Sequence, residues 1–158
     1  MVLDKYDIIV LKIGEVNMSM EKFANHIIAV ANQKNIPISN LQLQKIMYFV
    51  LRNSASILPI KEIESIYTEP FLVWRYGPVV KSVYDRFYSY GSSPIITNAE
   101  QSIEYKSLNH LILKFLEVDV FRMVDASHTH KFWKENESKI TFGRSSIAYP
   151  LNEVLRHV

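Results

Sequence analysis

The chain has 158 residues, of which 48% are hydrophobic and 22% charged, the balance of a single globular domain able to bury its own core. A formal charge of +2 is too small to make nucleic acid the first expectation, and the lack of any cysteine removes disulfides, zinc–thiolate sites, iron–sulfur clusters and thiol nucleophiles. Gly14, Gly77, Gly91 and Gly143 are too dispersed for a phosphate-cradling loop or a GxSxG elbow, and the five histidines contain no HExxH pair.

Residues 1–18 are expected to form an N-terminal extension, a strand or an arm, because Ile8 to Val16 is β-branched while helical periodicity starts only after Ser19. Met18 and Met20 also leave an internal translation start open. The apolar run Ile8–Leu11 is short, preceded by Asp4 and Asp7 and broken by Lys12, so no secretory signal or membrane span is drawn and a cytoplasmic location is expected.

From Ser19, a suitable N-cap, Met20, Phe23, Ala24, Ile27, Ile28 and Ala31 recur at helical spacing up to a stop near Asn35-Ile36-Pro37. Ser39 with Gln42 is a capping-box pattern for a second helix to about Asn53, whose core stripe is Leu43, Ile46, Met47 and Val50. Lys45, Tyr48 and Arg52 fall on another side of it, as a face for a partner or as an intramolecular contact with Tyr48 at the core edge. Ile60, Ile63 and Tyr67 fit a short helix, and Phe71 to Trp74 a short buried extended segment. Gly77 supplies a turn and Pro78 suits the first position of a helix carrying Val79, Val80, Val83, Tyr84, Phe87 and Tyr88, closed by Gly91. A helix from about Ser107, apolar over much of its circumference, is expected near the centre of the fold. Asp119 caps a turn over 120–124, and Pro150 limits the last helix to one or two turns. The fold class is therefore mainly α: a single compact helical domain over 19–158 with a minor β element, a short strand or hairpin.

Three segments together resemble the Panacea-domain family of SocA-like antitoxins, which also occur as phage-associated proteins of bacteria and prophages. They are Leu41-Gln42-Leu43-Gln44-Lys45-Ile46-Met47-Tyr48; then Glu69 to Val80, containing Trp74-Arg75-Tyr76-Gly77-Pro78, followed by Val83-Tyr84; and Thr129-His130 with Trp133. The resemblance covers about residues 20–155. It implies an antitoxin that binds and neutralises the cognate toxin of a toxin–antitoxin pair, by occlusion or as an adaptor delivering it to an ATP-dependent protease.

The candidate partner-binding residues are Lys45, Tyr48, Arg52, Trp74, Tyr76, Gly77, Pro78, Tyr84, His130 and Trp133, with Tyr48, Arg52, Tyr76 and Tyr84 as the exposed contacts. The structural alternative puts Trp74 in the core, makes Gly77-Pro78 a helix start, and gives His130 a hydrogen bond near Trp133. His128 and His130 lack further ligands at metal-binding spacing, and Glu62, Glu64, Asp85, Asp119 and Asp125 form no recognisable acid–base pair. No metal, cofactor, catalytic residue or enzymatic activity is expected. The rival function is a nucleic-acid-binding regulator, with Arg75, Lys81 and Arg86 beside Tyr76, Tyr84, Tyr88 and Tyr90. A homo-oligomer stays open.

Overall fold

Ser19 starts the first helix as its spacing predicts. In the computed structural model, which describes Val2, Asp4, Lys5 and residues 18–157, its hydroxyl accepts the Lys22 N–H at 3.1 Å and opens α1, Met20–Gln33. The extension expected over 1–18 lies almost wholly outside the described residues. α1 ends in a Schellman motif: Asn35 takes a left-handed φ of 56°, its N–H reaches the Asn32 carbonyl, and Ile36 N–H reaches the Ala31 carbonyl at 2.9 Å. Pro37 then prevents continuation.

Helix α2, Asn40–Arg52, opens on the reciprocal box in which Ser39 Oγ accepts Gln42 N–H and Gln42 Oε1 accepts Ser39 N–H. The predicted stripe of Leu43, Ile46, Met47 and Val50 is buried, and so are Gln44, Lys45, Tyr48, Phe49 and Leu51 on the remaining faces. A helix buried nearly all round is the core of its domain. Each large apolar side chain it hides contributes roughly 1.5–3 kcal/mol before conformational entropy is charged against it. Helix α1, the β-hairpin and the later helices pack around it.

Helix α3, Ile60–Ile66, follows Pro59 and leads into a hairpin of β1, Leu72–Trp74, and β2, Gly77–Val79. The strands are antiparallel with Leu72 opposite Val79, Val73 opposite Pro78 and Trp74 opposite Gly77. Here the structure corrects the expectation that Pro78 begins a helix. Val73 turns its N–H away from β2, to the Ile147 carbonyl at 2.9 Å, so Pro78 sits opposite a residue that asks for no partner and its missing N–H costs nothing. Helix α4, Lys81–Arg86, starts three residues later than expected, and 3-10 turns at Tyr88–Tyr90 complete the path to Gly91. The other edge of β1 is covered by the segment at 143–149, through Arg75 N–H to Gly143 O and Tyr149 N–H to Phe71 O.

After 3-10 turns over Ile103–Leu108 come α5, Asn109–Leu116, α6, Val120–His128, α7, Lys131–Asn136, and α8, Leu151–Val154. Asp119 caps α6 by accepting the Phe121 and Arg122 N–H groups, and the helix runs to His128 rather than ending at 124. Helix α5 lies on α1 and α2, with Ile112 and Leu116 buried, Leu111, Leu113 and Phe115 partly buried against the core, and His110 and Lys114 exposed. The described residues thus form eight α-helices and one hairpin, a mainly α fold with a minor β element. No helix among them is long and apolar enough to cross a membrane.

Candidate functional site

The residues that carry chemistry divide into those that hold the hairpin from beneath and those that line the surface above it. Lys45 belongs to the first group. It is fully buried on α2, and its Nζ donates to the Pro78 carbonyl at 2.6 Å, while the neighbouring Gln44 Oε1 accepts the Val80 N–H at 2.8 Å. These two side chains satisfy backbone groups that a two-stranded ribbon leaves unpaired. Among the described residues Lys45 has no ion-pair partner, and burial in a medium that disfavours its charged form brings the amine down to about 7. Gly77 makes the close approach possible. Its φ is +99°, and a Cβ there would overlap Ser127 Oγ and stand 3.2 Å from Lys45 Nζ.

Tyr48, one turn further along α2, is also fully buried, and its hydroxyl meets His130 Nδ1 at 2.7 Å across 82 residues of sequence. Burial and the adjacent Arg52 and His157 push the His130 imidazole down to about 4, so the ring is neutral at pH 7. Burial holds the Tyr48 hydroxyl protonated up to about 12, and among the described residues Nδ1 is its only acceptor. Tyr48 therefore donates, and the His130 ring proton resides on Nε2.

Tryptophans tie the α6–α7 corner to the hairpin. Trp133 Nε1 donates to the Trp74 carbonyl at 2.9 Å, and Trp74 Nε1 donates to Ser145 O at 3.2 Å. His128 stacks on Trp133 with ring centroids 3.8 Å apart and donates through Nε2 to the Arg75 carbonyl. Of the ten candidate contacts, Lys45, Tyr48, Trp74, Gly77, Pro78 and Trp133 are thus buried, which corrects the expectation that Tyr48 is an exposed contact. The physical reason is that α2 is wrapped on both faces, so its polar stripe binds the hairpin and His130 instead of solvent. Tyr76 is exposed, and Arg52, Tyr84 and His130 are partly so.

Above this framework lies an aromatic and basic surface. A cleft of about 510 Å³ is bounded by Arg75, Tyr76, Phe121, Asp125, His128 and Trp133, with Tyr76 50% and Phe121 60% exposed. Arg144 lies over Trp74 at 4.4 Å and over Tyr84 at 5.4 Å, and Tyr84 packs edge-on against the exposed Tyr88. Phe142 stands fully exposed beside it, at the tip of a tight turn closed by Thr141 and Arg144. Phe142 and Gly143 have φ of 53° and 81°, the pair of positive values that a two-residue hairpin turn demands. A bulky side chain in that region costs of order 1–3 kcal/mol. Neither Phe121 nor Phe142 is among the candidates read from the sequence. The available signal for Phe142 is an aromatic residue placed directly before glycine with no helical or strand partner.

The basic residues expected for nucleic acid are mostly engaged. Lys81 pairs with Asp85 at 2.7 Å, and Arg86 donates to Asn25 at 2.7 Å with Glu21 at 3.9 Å. Among the described residues no three His, Asp or Glu side chains come close enough to hold a metal ion.

The buried polar side chains of this small helical scaffold thus fasten the hairpin, and aromatic rings remain on the surface above it. The family model for "Antitoxin SocA-like, Panacea domain" matches residues 43–134, and the chain belongs to that family. The matched stretch runs from α2 into α7 and so includes Lys45, Tyr48, the hairpin, His130 and Trp133. No significant match to a curated protein or to a solved structure was found.

Proposed function

We propose that this protein is an antitoxin that neutralises a toxin by binding it, without catalysis of its own, in the cytoplasm of a bacterium. The antitoxin family implies a toxin-type partner. The observation that carries the reading is the exposed aromatic surface of Tyr76, Phe121 and Phe142 with Arg75 and Arg144, laid over a buried framework that fixes its shape. Tyrosine and arginine dominate the energetics of protein interfaces, and truncating a central anchor typically costs 2 kcal/mol or more. Rigid support lowers the ordering cost of association, which favours a stable complex.

The test is capture of the tagged full-length chain from its native host after nuclease treatment. The expected result is a stoichiometric small protein encoded by an adjacent gene, toxic when expressed alone and neutralised by co-expression of this chain. The double variant Tyr76→Ala, Phe121→Ala is expected to stay folded and to weaken that complex at least tenfold. Unchanged binding by the double variant removes this surface from the proposal, and recovery of no protein partner refutes the antitoxin reading. Toxin that persists bound supports occlusion, whereas toxin whose level falls only when an ATP-dependent protease is present supports the adaptor route.

A further inference from the structure

A second concavity, of about 270 Å³, shares no lining residue with the aromatic cleft and lies between the end of α2, the start of α7 and the chain at and after α8. Arg52, His130, Lys131, Arg156 and His157 line it, and Glu153 is the only carboxylate among the described residues of that lining. Leaving the histidines out of the count, Arg52, Lys131 and Arg156 against Glu153 give a formal +2, as much as the net charge of the whole chain. The pairs that offset it are loose: Arg156 stands 3.5 Å from Glu153, and Lys131 3.6 Å from Glu135, which does not line the cavity. A concave wall of one sign focuses its field into the cavity and draws in anions.

The donors are as telling as the charge. Arg52 donates to the Val154 carbonyl at 3.2 Å and to the Tyr48 hydroxyl, which leaves three of the five N–H groups of its planar fork. His130 has its proton on Nε2, because Nδ1 accepts from Tyr48, and among the described residues Nε2 has no partner. Beneath them Phe132, another lining residue, packs on Tyr149 with ring centroids 4.7 Å apart. Tyr149 is 1% exposed, lies within the field of Arg52, and is the single buried side chain among the described residues whose polar atom lacks a hydrogen-bond partner. Convergent donors, a net +2 and a cavity too small for a drug-sized ligand suit a compact, multiply charged anion such as the phosphate dianion, whose charge at pH 7 is about −1.5 to −2.

We propose that this cavity is a binding site for a phosphate dianion, free or as the terminal group of a small monoester, held by Arg52 and Arg156 with His130 Nε2–H as a further donor. The site is independent of the toxin-binding surface and of the antitoxin reading. The anion would sit against a ring that is hydrogen-bonded to the core through Tyr48, so its arrival is reported by the His130 imidazole itself.

The test follows the His130 ring signals by NMR in the full chain during titration with inorganic phosphate and, separately, with AMP, against adenosine and sodium chloride at matched ionic strength. Saturable shifts with phosphate and AMP but with neither control are expected; tighter AMP binding identifies the monoester as the ligand, and equal or tighter inorganic phosphate identifies the free anion. Arg156→Gln, at a partly exposed side chain that pairs with Glu153, leaves the fold intact and is expected to weaken binding about tenfold, the value of one charge-assisted hydrogen bond. Arg52→Gln is expected to do the same, with Arg156→Gln standing in if loss of the Val154 contact unfolds it. No saturable shift, an equal shift with chloride, or Arg156→Gln binding as tightly as the parent chain overturns the proposal. An oligonucleotide with hydroxyl ends, which offers only phosphodiesters, competing as well as AMP overturns it in favour of a nucleic-acid backbone.

Discussion

Replacing Lys45 with methionine tests the claim that the hairpin is fastened by a buried amine whose charged form is disfavoured. Methionine keeps an unbranched chain of similar length and removes both the ionisable group and the hydrogen bond to Pro78 O. Losing that bond costs roughly 1–3 kcal/mol at every pH, since the buried carbonyl is left without its donor. The pH-dependent part has a definite sign. The folded amine titrates at about 7 and the unfolded one at 10.5, so between these values the unfolded chain binds more protons and stability rises with pH. The slope approaches about 1.4 kcal/mol per pH unit, which accumulates to about 3 kcal/mol between pH 7 and pH 9.5. Below pH 7 the amine is protonated in both states and the slope vanishes. The upper limit is set by the buried phenols: burial keeps Tyr48 and Tyr105 protonated up to about 12 and also raises Tyr67 and Tyr149, so beyond pH 10 the unfolded tyrosines ionise first and stability falls. Urea unfolding of both proteins from pH 6 to pH 9.5 measures the difference directly. The parent chain is expected to gain on Lys45→Met by about 3 kcal/mol between pH 7 and pH 9.5. A difference that stays constant with pH would mean that Lys45 is charged in the folded protein, and would refute the reasoning.

Gly77→Ala is expected to lower stability by at least about 2 kcal/mol, from the positive φ together with the overlap with Ser127 Oγ. Adding Ser127→Ala should restore only the overlap part, and thermal unfolding that is unchanged in the single variant would contradict the tight packing. Phe142→Gly is expected to keep or raise the melting temperature, because it relieves a positive φ at an exposed site, while weakening toxin binding at least tenfold. A variant that binds the toxin normally would show that the turn is an incidental strain.

The helices of this protein were readable because their signals are local. Ser19 and the Ser39–Gln42 pair mark helix starts through hydrogen bonds that close within three residues, and Asn35-Ile36-Pro37 marks an end for the same reason. The three segments that resemble Panacea-domain antitoxins carried the family, as the match over residues 43–134 bears out. Gly77-Pro78 defeated local reasoning, since a turn followed by proline suits a helix start and an edge strand equally. Only the pairing with Val73, whose N–H goes to Ile147, decides for the strand.

The candidate surface was less legible, and the polar stripe of α2 shows why. Periodicity reports which residues share a face, but whether that face meets solvent depends on what packs against it. Lys45 finds its acceptor 33 residues away in Pro78, and Tyr48 finds His130 82 residues away, so residues with the composition of an interface are instead the fastenings of the fold. The rings left outside, Tyr76, Phe121 and Phe142, have no periodic signature, because exposure is the remainder after tertiary packing is complete. Sequence alone thus determined the helical class, the caps and the family. Tertiary structure decided which side chains became core, which became surface, and where positive charge gathers in excess, since each of these depends on contacts between segments that no local pattern encodes.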